Sequence, residues 1–348
     1  MRRRGFTLVE LLVSVAIGAF LVGVAVSFGS DHTRALGLTT RRLETYESGR
    51  LAVEVMAFDA RQAGYGVGYQ PDGAFSGLVR GPFTLPAGGQ FEANDNSVAL
   101  AWGNSLSDDV SFRFATGDTR TIAHYTTGFG QICAGGKFTL GDRVVLLSRE
   151  GFHAQTVTLG NVTPAACVDG TCLGGCVALA FADDPAWVSD AEARTVNYVD
   201  GELSGGYQQV VYFVTANAEG LGELRRASLS DPTPCADRNN NCGGVVATGV
   251  ESLQLAVSQW DPEAGTWVDQ TAAAAITDRR RIRIDLELVV RGNPEPSGGI
   301  EPSPVELQLV PGRCVPGPTC VITTPDRAVR HAVRTSVEIR NSGRLRIE

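Results

Sequence analysis

Three groups of residues in this 348-residue chain have types and spacings that can do chemistry. The first is built around Glu10, a carboxylate inside an apolar run from Phe6 to Phe28 that follows Arg2, Arg3, Arg4 and Gly5. An acid near the centre of a membrane-spanning helix costs ~2.5–3.5 kcal/mol on insertion scales, which marks it as functional. Placement in the first helical turn lowers that cost through the helix dipole without explaining the residue. A cut between Gly5 and Phe6 would create an α-ammonium one helical turn from Glu10. Within one helix that pair is badly placed. Between staggered parallel helices, the carboxylate of one subunit meets the ammonium of the next, which neutralises both charges and sets the axial register.

The second group is the cysteines: Cys133, Cys167, Cys172, Cys176, Cys235, Cys242, Cys314 and Cys320, all downstream of the apolar run. Zinc sites need paired short spacings such as CxxC, matched by a second pair or by histidines. Here one cluster reads CxxxxC and CxxxC, and His32, His124, His153 and His331 stand alone, so structural disulfides are expected. If the apolar run crosses a membrane, the cysteines sit in an oxidising space where disulfides persist. Cys235 with Cys242, and Cys314 with Cys320, could each close a short loop worth about 2–3 kcal/mol. Cys133 would then pair within the Cys167, Cys172 and Cys176 cluster; spacing selects no single connectivity.

The third group is Asp237, Asn239 and Asn241, which open like a calcium loop. Gly243 falls one position late and Thr248 stands where the bidentate glutamate belongs, so a solvated turn is the expected reading. Calcium is the one cofactor that the sequence suggests at all. Enzyme signatures (HExxH, GxSxG, P-loop) are absent. Asp108-Asp109 and Asp183-Asp184 would point to opposite faces of a strand and read as solvated turns instead of acid/base dyads. Arg279-Arg280-Arg281 with Arg283 is a basic run, but Ile282, Ile284 and Asp285 interleave with it and favour a charged strand edge. With a formal net charge of −8, nucleic acid is not the expected partner.

The elements that position these residues follow from periodicity. Phe6–Phe28 as a helix is roughly 35 Å long, enough to cross a bilayer core of ~30 Å. The three arginines hold its start in the cytoplasm. No proline occurs before Pro71, and Leu43, Tyr46, Gly49, Val53, Met56, Ala60 and Ala63 continue one helical stripe. Leu51, Val55 and Phe58 form a second stripe, so this half of the helix is expected to be covered on more than one side. Residues 27–31 and Gly37 are expected bends, and the glycine series from Gly64 ends the helix. Beyond Pro71 the period becomes two. Strands are expected at Ser97–Trp102, Val110–Phe114, Arg143–Ser148, Gln155–Leu159, Gln209–Thr215, Leu224–Ala227, Ser252–Val257, Arg281–Val290 and Thr335–Arg340. Gly292–Pro304 and Pro311–Pro325 read as Pro/Gly-rich loops. One long helix followed by strands alone argues for α+β, the helix laid on an antiparallel sheet.

Gly5-Phe6-Thr7-Leu8-Val9-Glu10-Leu11-Leu12-Val13 resembles the class III signal of type IV prepilins and type II secretion pseudopilins. In that family a prepilin peptidase cleaves after the glycine and N-methylates the new terminal phenylalanine, here Phe6. Ser48-Gly49-Arg50-Leu51-Ala52, Phe58-Asp59-Ala60-Arg61-Gln62-Ala63-Gly64-Tyr65, Gly141-Asp142-Arg143-Val144-Val145-Leu146, Gly249-Val250-Glu251-Ser252-Leu253-Gln254 and Val337-Glu338-Ile339-Arg340-Asn341 are similar to PilW-type minor pilins, in the family's order. Val67-Gly68 stands where that group often carries a cysteine.

The resemblance implies a leader at 1–5, a transmembrane helix at 6–28, its amphipathic continuation at 29–64, and a β-rich pilin-like domain with disulfide-containing insertions at 65–348. It implies no enzyme activity, and a role in initiating pilus assembly. The implied partners are other minor and major pilins, prepilin peptidase, the inner-membrane assembly platform and the lipid bilayer. The implied location is the inner membrane with the C-terminal domain periplasmic, then the fibre. A J-type pseudopilin of type II secretion has a similar layout, and a tip adhesin or DNA-binding module is the alternative of a different class.

Overall fold

The computed structural model describes residues 8–64, 78–80, 83–84, 90–91, 110–135, 137–149, 153–168, 172, 175–188, 192–217, 221–228, 243–270, 281–292, 305–307, 320–322 and 330–339. Helix α1 (Leu8–Gln62) runs unbroken for 55 residues, about 82 Å. It passes through Gly29 and Gly37 without interruption, while the hydroxyls of Thr33, Thr39 and Thr40 donate to carbonyls four residues back. It ends where Gly64 takes a left-handed φ of 81° and its N–H donates to the Arg113 carbonyl at 2.8 Å. Glycine adopts that conformation at no steric cost, which is why the helix stops there.

The first strands in chain order are β1 (Leu78–Arg80), β2 (Phe83–Thr84), β3 (Gln90–Phe91) and β4 (Val110–Ala115). Next come β5 (Thr119–Thr126), β6 (Phe129–Cys133), β7 (Arg143–Leu147), β8 (Ala154–Ala165), β9 (Cys176–Val188) and β10 (Glu202–Gly205). Then follow β11 (Tyr207–Ala216), β12 (Gly222–Ser228), β13 (Gly244–Thr248), β14 (Val250–Asp261), β15 (Thr266–Gln270) and β16 (Ile282–Arg291). The last are β17 (Val305–Leu307), β18 (Cys320–Ile322) and β19 (Arg330–Ile339).

The described strands build a five-stranded sheet in the order β1-β4-β11-β12-β13, a four-stranded sheet β15-β14-β16-β19, a closed barrel β10-β5-β6-β9-β8-β7, and the two-stranded pairs β17-β18 and β2-β3. Their pairings are antiparallel. One long helix on antiparallel sheets is the α+β layout expected from sequence.

One core serves the helix and both larger sheets. Val53, Met56 and Ala60 of α1 share it with Phe112 and Tyr212 of the five-stranded sheet and with Ile284, Leu286 and Val333 of the four-stranded sheet. On the face of the four-stranded sheet away from α1, alternate residues form cross-strand ion pairs, Arg330 Nε to Glu251 Oε2 at 2.7 Å and Arg334 Nε to Glu287 Oε1 at 2.6 Å. The barrel takes the place of a hairpin turn. Ala115 and Tyr207 are paired partners of β4 and β11, and everything between them leaves and re-enters at that point. Ile122, Leu146, Leu159, Leu179 and Tyr198 fill its separate interior.

Several expectations need correction. Sequence periodicity did not reveal the barrel. Asp183 and Asp184 lie within β9 instead of a turn, because β9 continues past its bulged pairing with β8. Arg281 and Arg283 flank no sheet edge, since β16 sits between β14 and β19. Within Pro311–Pro325, residues 320–322 form β18. Ser97–Trp102 lies outside the described residues.

Candidate functional site

The two halves of α1 have opposite surroundings, and that division defines the site. From Leu8 to Phe28 the large apolar side chains are exposed, Leu8 at 75%, Phe20 at 70% and Phe28 at 73%. By length and composition this stretch can cross a membrane. Glu10 lies in the first turn of the helix, and the Ser14 hydroxyl donates to its carbonyl at 2.7 Å. A carboxylate there faces the positive end of the helix dipole.

The second half docks. Gly49 lies so close to β16 and β19 that a Cβ on it would stand 2.8 Å from Val290 and 2.9 Å from Val333, so no larger residue allows this approach. Small Ala52, Ala57, Ala60 and Ala63 keep the helix against the sheets along its length. Asp59 is buried on this face. Its Oδ2 accepts from the Tyr212 hydroxyl at 2.6 Å on β11 and from Arg226 Nε at 2.7 Å on β12. Burial, and after it the Asp59 charge, pushes the Tyr212 hydroxyl well above the ordinary tyrosine range. Burial works against the Arg226 charge, but the hydrogen bond and charge of Asp59 outweigh it and hold the guanidinium more firmly protonated. The three residues clamp the helix to the five-stranded sheet. Sequence reasoning passed over Asp59, whose signal is an acid at the i+3 position from Met56 on the core-facing stripe.

The expected stripes are only partly covered. Val53, Met56, Ala60 and Ala63 are buried, but Leu43 is 55% and Tyr46 45% exposed, because the sheets begin to cover the helix only near Thr45. The second stripe, Leu51, Val55 and Phe58, faces outward uncovered, since both sheets lie on the opposite side. The Tyr46 ring instead meets His331 of β19 edge-on at 6.2 Å. Burial, and next the Arg42 charge, lowers the His331 pKa.

At one end of the barrel the cysteines are joined as Cys133–Cys172 and Cys167–Cys176. Cys320 opens β18. Arg2, Arg3, Arg4, Gly5, Phe6, Cys235, Cys242 and Cys314 lie outside the described residues, as do the calcium candidates Asp237, Asn239 and Asn241. Arg281 is committed elsewhere. It pairs with Glu338, Nη2 to Oε2 at 2.8 Å, and lies 5.4 Å from the ring centres of both Trp260 and Trp267.

The family model for the prokaryotic N-terminal methylation motif matches residues 1–26. The chain carries the N-terminal methylation motif of the type IV prepilin class. The methylation motif covers the exposed apolar half of α1 and stops well before the docked half. At 14% identity and a TM-score of 0.35, the chain is also similar to a type IV-like pilin from Thermus thermophilus, over 86% of this chain and 96% of that one. No curated protein matches the chain.

Proposed function

We propose that the chain is a PilW-like minor pilin that acts by assembly. Prepilin peptidase cleaves between Gly5 and Phe6 and methylates Phe6. The apolar half of α1 then holds the protein in the inner membrane with residues from about 29 onward in the periplasm. On extraction into the fibre, Glu10 pairs with the N-terminal ammonium of a neighbouring pilin, and the sheets and barrel lie on the outside. A place with other minor pilins in starting the fibre follows from the resemblance to the PilW-type group. The observation that carries this reading is a methylation motif on the exposed half of a helix whose other half is docked on the sheets.

The deciding measurement is the mass of the mature N-terminal peptide from cells with and without prepilin peptidase. A peptidase-dependent N-methylated Phe6 is expected, and a mature terminus near Phe28 would overturn the proposal. Glu10→Gln separates assembly from stability. It should leave the protein present in the membrane while lowering fibre number, and unchanged fibre number would remove the role given to the carboxylate.

A further inference from the structure

The barrel's cysteines are bonded in an order that stepwise oxidation does not produce. Cys133 closes β6 and Cys176 opens β9, and the two are paired directly across the ladder. They are not bonded to each other. Cys133 joins Cys172 across 39 residues and Cys167 joins Cys176 across 9. In chain order the first cysteine is bonded to the third and the second to the fourth. A chain threaded across the membrane from about residue 29 onward meets oxidant in sequence order, which favours Cys133–Cys167 and then Cys172–Cys176. Loop closure adds to this bias, because closing the shorter Cys172–Cys176 loop is favoured roughly threefold over Cys167–Cys176 in an unfolded chain.

The folded barrel selects the other pairing. Gln131, buried on β6, uses both ends of its amide on the segment that carries Cys167. Its Nε2 donates to the Ala166 carbonyl at 3.2 Å, and its Oε1 accepts from the Val168 N–H at 3.0 Å. This holds Cys167 beside the β6–β9 ladder. The sulfurs of Cys167, Cys172 and Cys176 lie within 4.8 Å of one another, so bonds can be exchanged inside the cluster without unfolding the strands.

We infer that the barrel matures by thiol–disulfide isomerisation, and that a dithiol oxidoreductase of the isomerase class acts on this chain after export. The inference rests on the proposed periplasmic placement. The isomerase thiolate attacks Cys133 Sγ of a Cys133–Cys167 bond, forms a mixed disulfide and releases the Cys167 thiolate. Cys167 attacks Cys176 Sγ, forms Cys167–Cys176 and releases the Cys172 thiolate. Cys172 then attacks Cys133 Sγ, completes Cys133–Cys172 and returns the isomerase thiolate. Two disulfides enter and two leave, with no net oxidation.

The test oxidises reduced, denatured full-length protein in detergent, with Cys235, Cys242, Cys314 and Cys320 replaced by serine. One arm receives a small-molecule disulfide alone, and the other also receives a purified disulfide isomerase. Non-reducing peptide mapping counts the Cys133–Cys172 link. Four cysteines allow three pairings, so the first arm should hold the native link in roughly a third of molecules or fewer, and the isomerase should raise it about threefold. Gln131→Leu should blunt that gain. Equal native linkage in both arms overturns the inference. In cells, loss of the native link when the isomerase is deleted supports it. A chain with no disulfides in isomerase-containing cells instead overturns the periplasmic placement, whatever the purified protein does.

Discussion

Asp59→Ala tests the clamp between the helix and the five-stranded sheet. Asp59 Oδ2 holds both the Tyr212 hydroxyl at 2.6 Å and Arg226 Nε at 2.7 Å, with the Asp59 side chain 5% and that of Arg226 34% exposed. Removing one partner of a fully buried ion pair costs about 3–5 kcal/mol. The partly exposed guanidinium recovers some hydration, which places the expected loss near the bottom of that range, about 3 kcal/mol. At ~1.4 kcal/mol per tenfold, the docked helix should open about 150-fold more often. The assay is amide hydrogen exchange across residues 52–62 of the full chain in detergent, under conditions where exchange reports the opening equilibrium. Tyr212→Phe removes one hydrogen bond to a charged acceptor and leaves Asp59 with Arg226, so it should cost about 1.5 kcal/mol, roughly tenfold in exchange. Because the three residues act together, the double variant should exchange little faster than Asp59→Ala alone. An acceleration under about fivefold for Asp59→Ala, or strict additivity in the double variant, would refute the clamp.

Tyr212 also predicts an alkaline limit. Its folded pKa is raised, so its contribution is intact below the unfolded value near ~10 and falls above it, where the unfolded chain ionises and the native one does not, by up to about 1.4 kcal/mol per pH unit. Denaturation between pH 9 and 11 should show this fall in the parent and a weaker one in Tyr212→Phe. His331 has the opposite dependence. Its folded pKa is lowered, so stability is present above ~6.5 and is lost as pH falls, when the unfolded chain takes the proton. His331→Gln should lessen destabilisation between pH 6.5 and 5, and an unchanged acid limb would count against the role given to the half-buried imidazole. Gly49→Ala places a Cβ 2.8–2.9 Å from Val290 and Val333. Its overpacking cost of ~1–3 kcal/mol should exceed the ~1 kcal/mol gained in helix propensity and lower the melting temperature. Gly37→Ala, with nothing within 4 Å of the new Cβ, should instead make exchange slower around residue 37.

The helix was legible because it needs only local signals: no proline before Pro71, a stripe at 3–4-residue spacing, and a glycine to end it. Strands such as β4, β11 and β16 were legible because alternate residues such as Val110 and Phe112, or Ile282 and Ile284, are fully buried and apolar. The barrel was not. Strand β5 reads Thr-Arg-Thr-Ile-Ala-His-Tyr-Thr and β9 contains Asp183, Asp184 and Pro185, so neither shows a clean period of two. Their pairing depends on long-range closure around Ile122, Leu159 and Leu179, which no local window contains. Asp59 was hidden for a related reason. An acid on a core-facing stripe gives no sign of its partners until the register of β11 and β12 brings Tyr212 and Arg226 together beside it.

The two exposed apolar surfaces of α1 make different demands. Between Leu8 and Phe28, large apolar side chains are 51–75% exposed. At ~1.5–3 kcal/mol per fully buried side chain, leaving that surface in water forgoes on the order of 20 kcal/mol. Transfer out of water recovers that free energy, so this half belongs in lipid or among other helices. Lipid satisfies it along its apolar length. Leu51, Val55 and Phe58 are a separate matter. They begin roughly 35 Å along the helix from Phe28, beyond the reach of the same bilayer leaflet, and the sheets lie on the other side. Lipid therefore accounts for the first surface but not the second. A neighbouring protein helix can cover both at once.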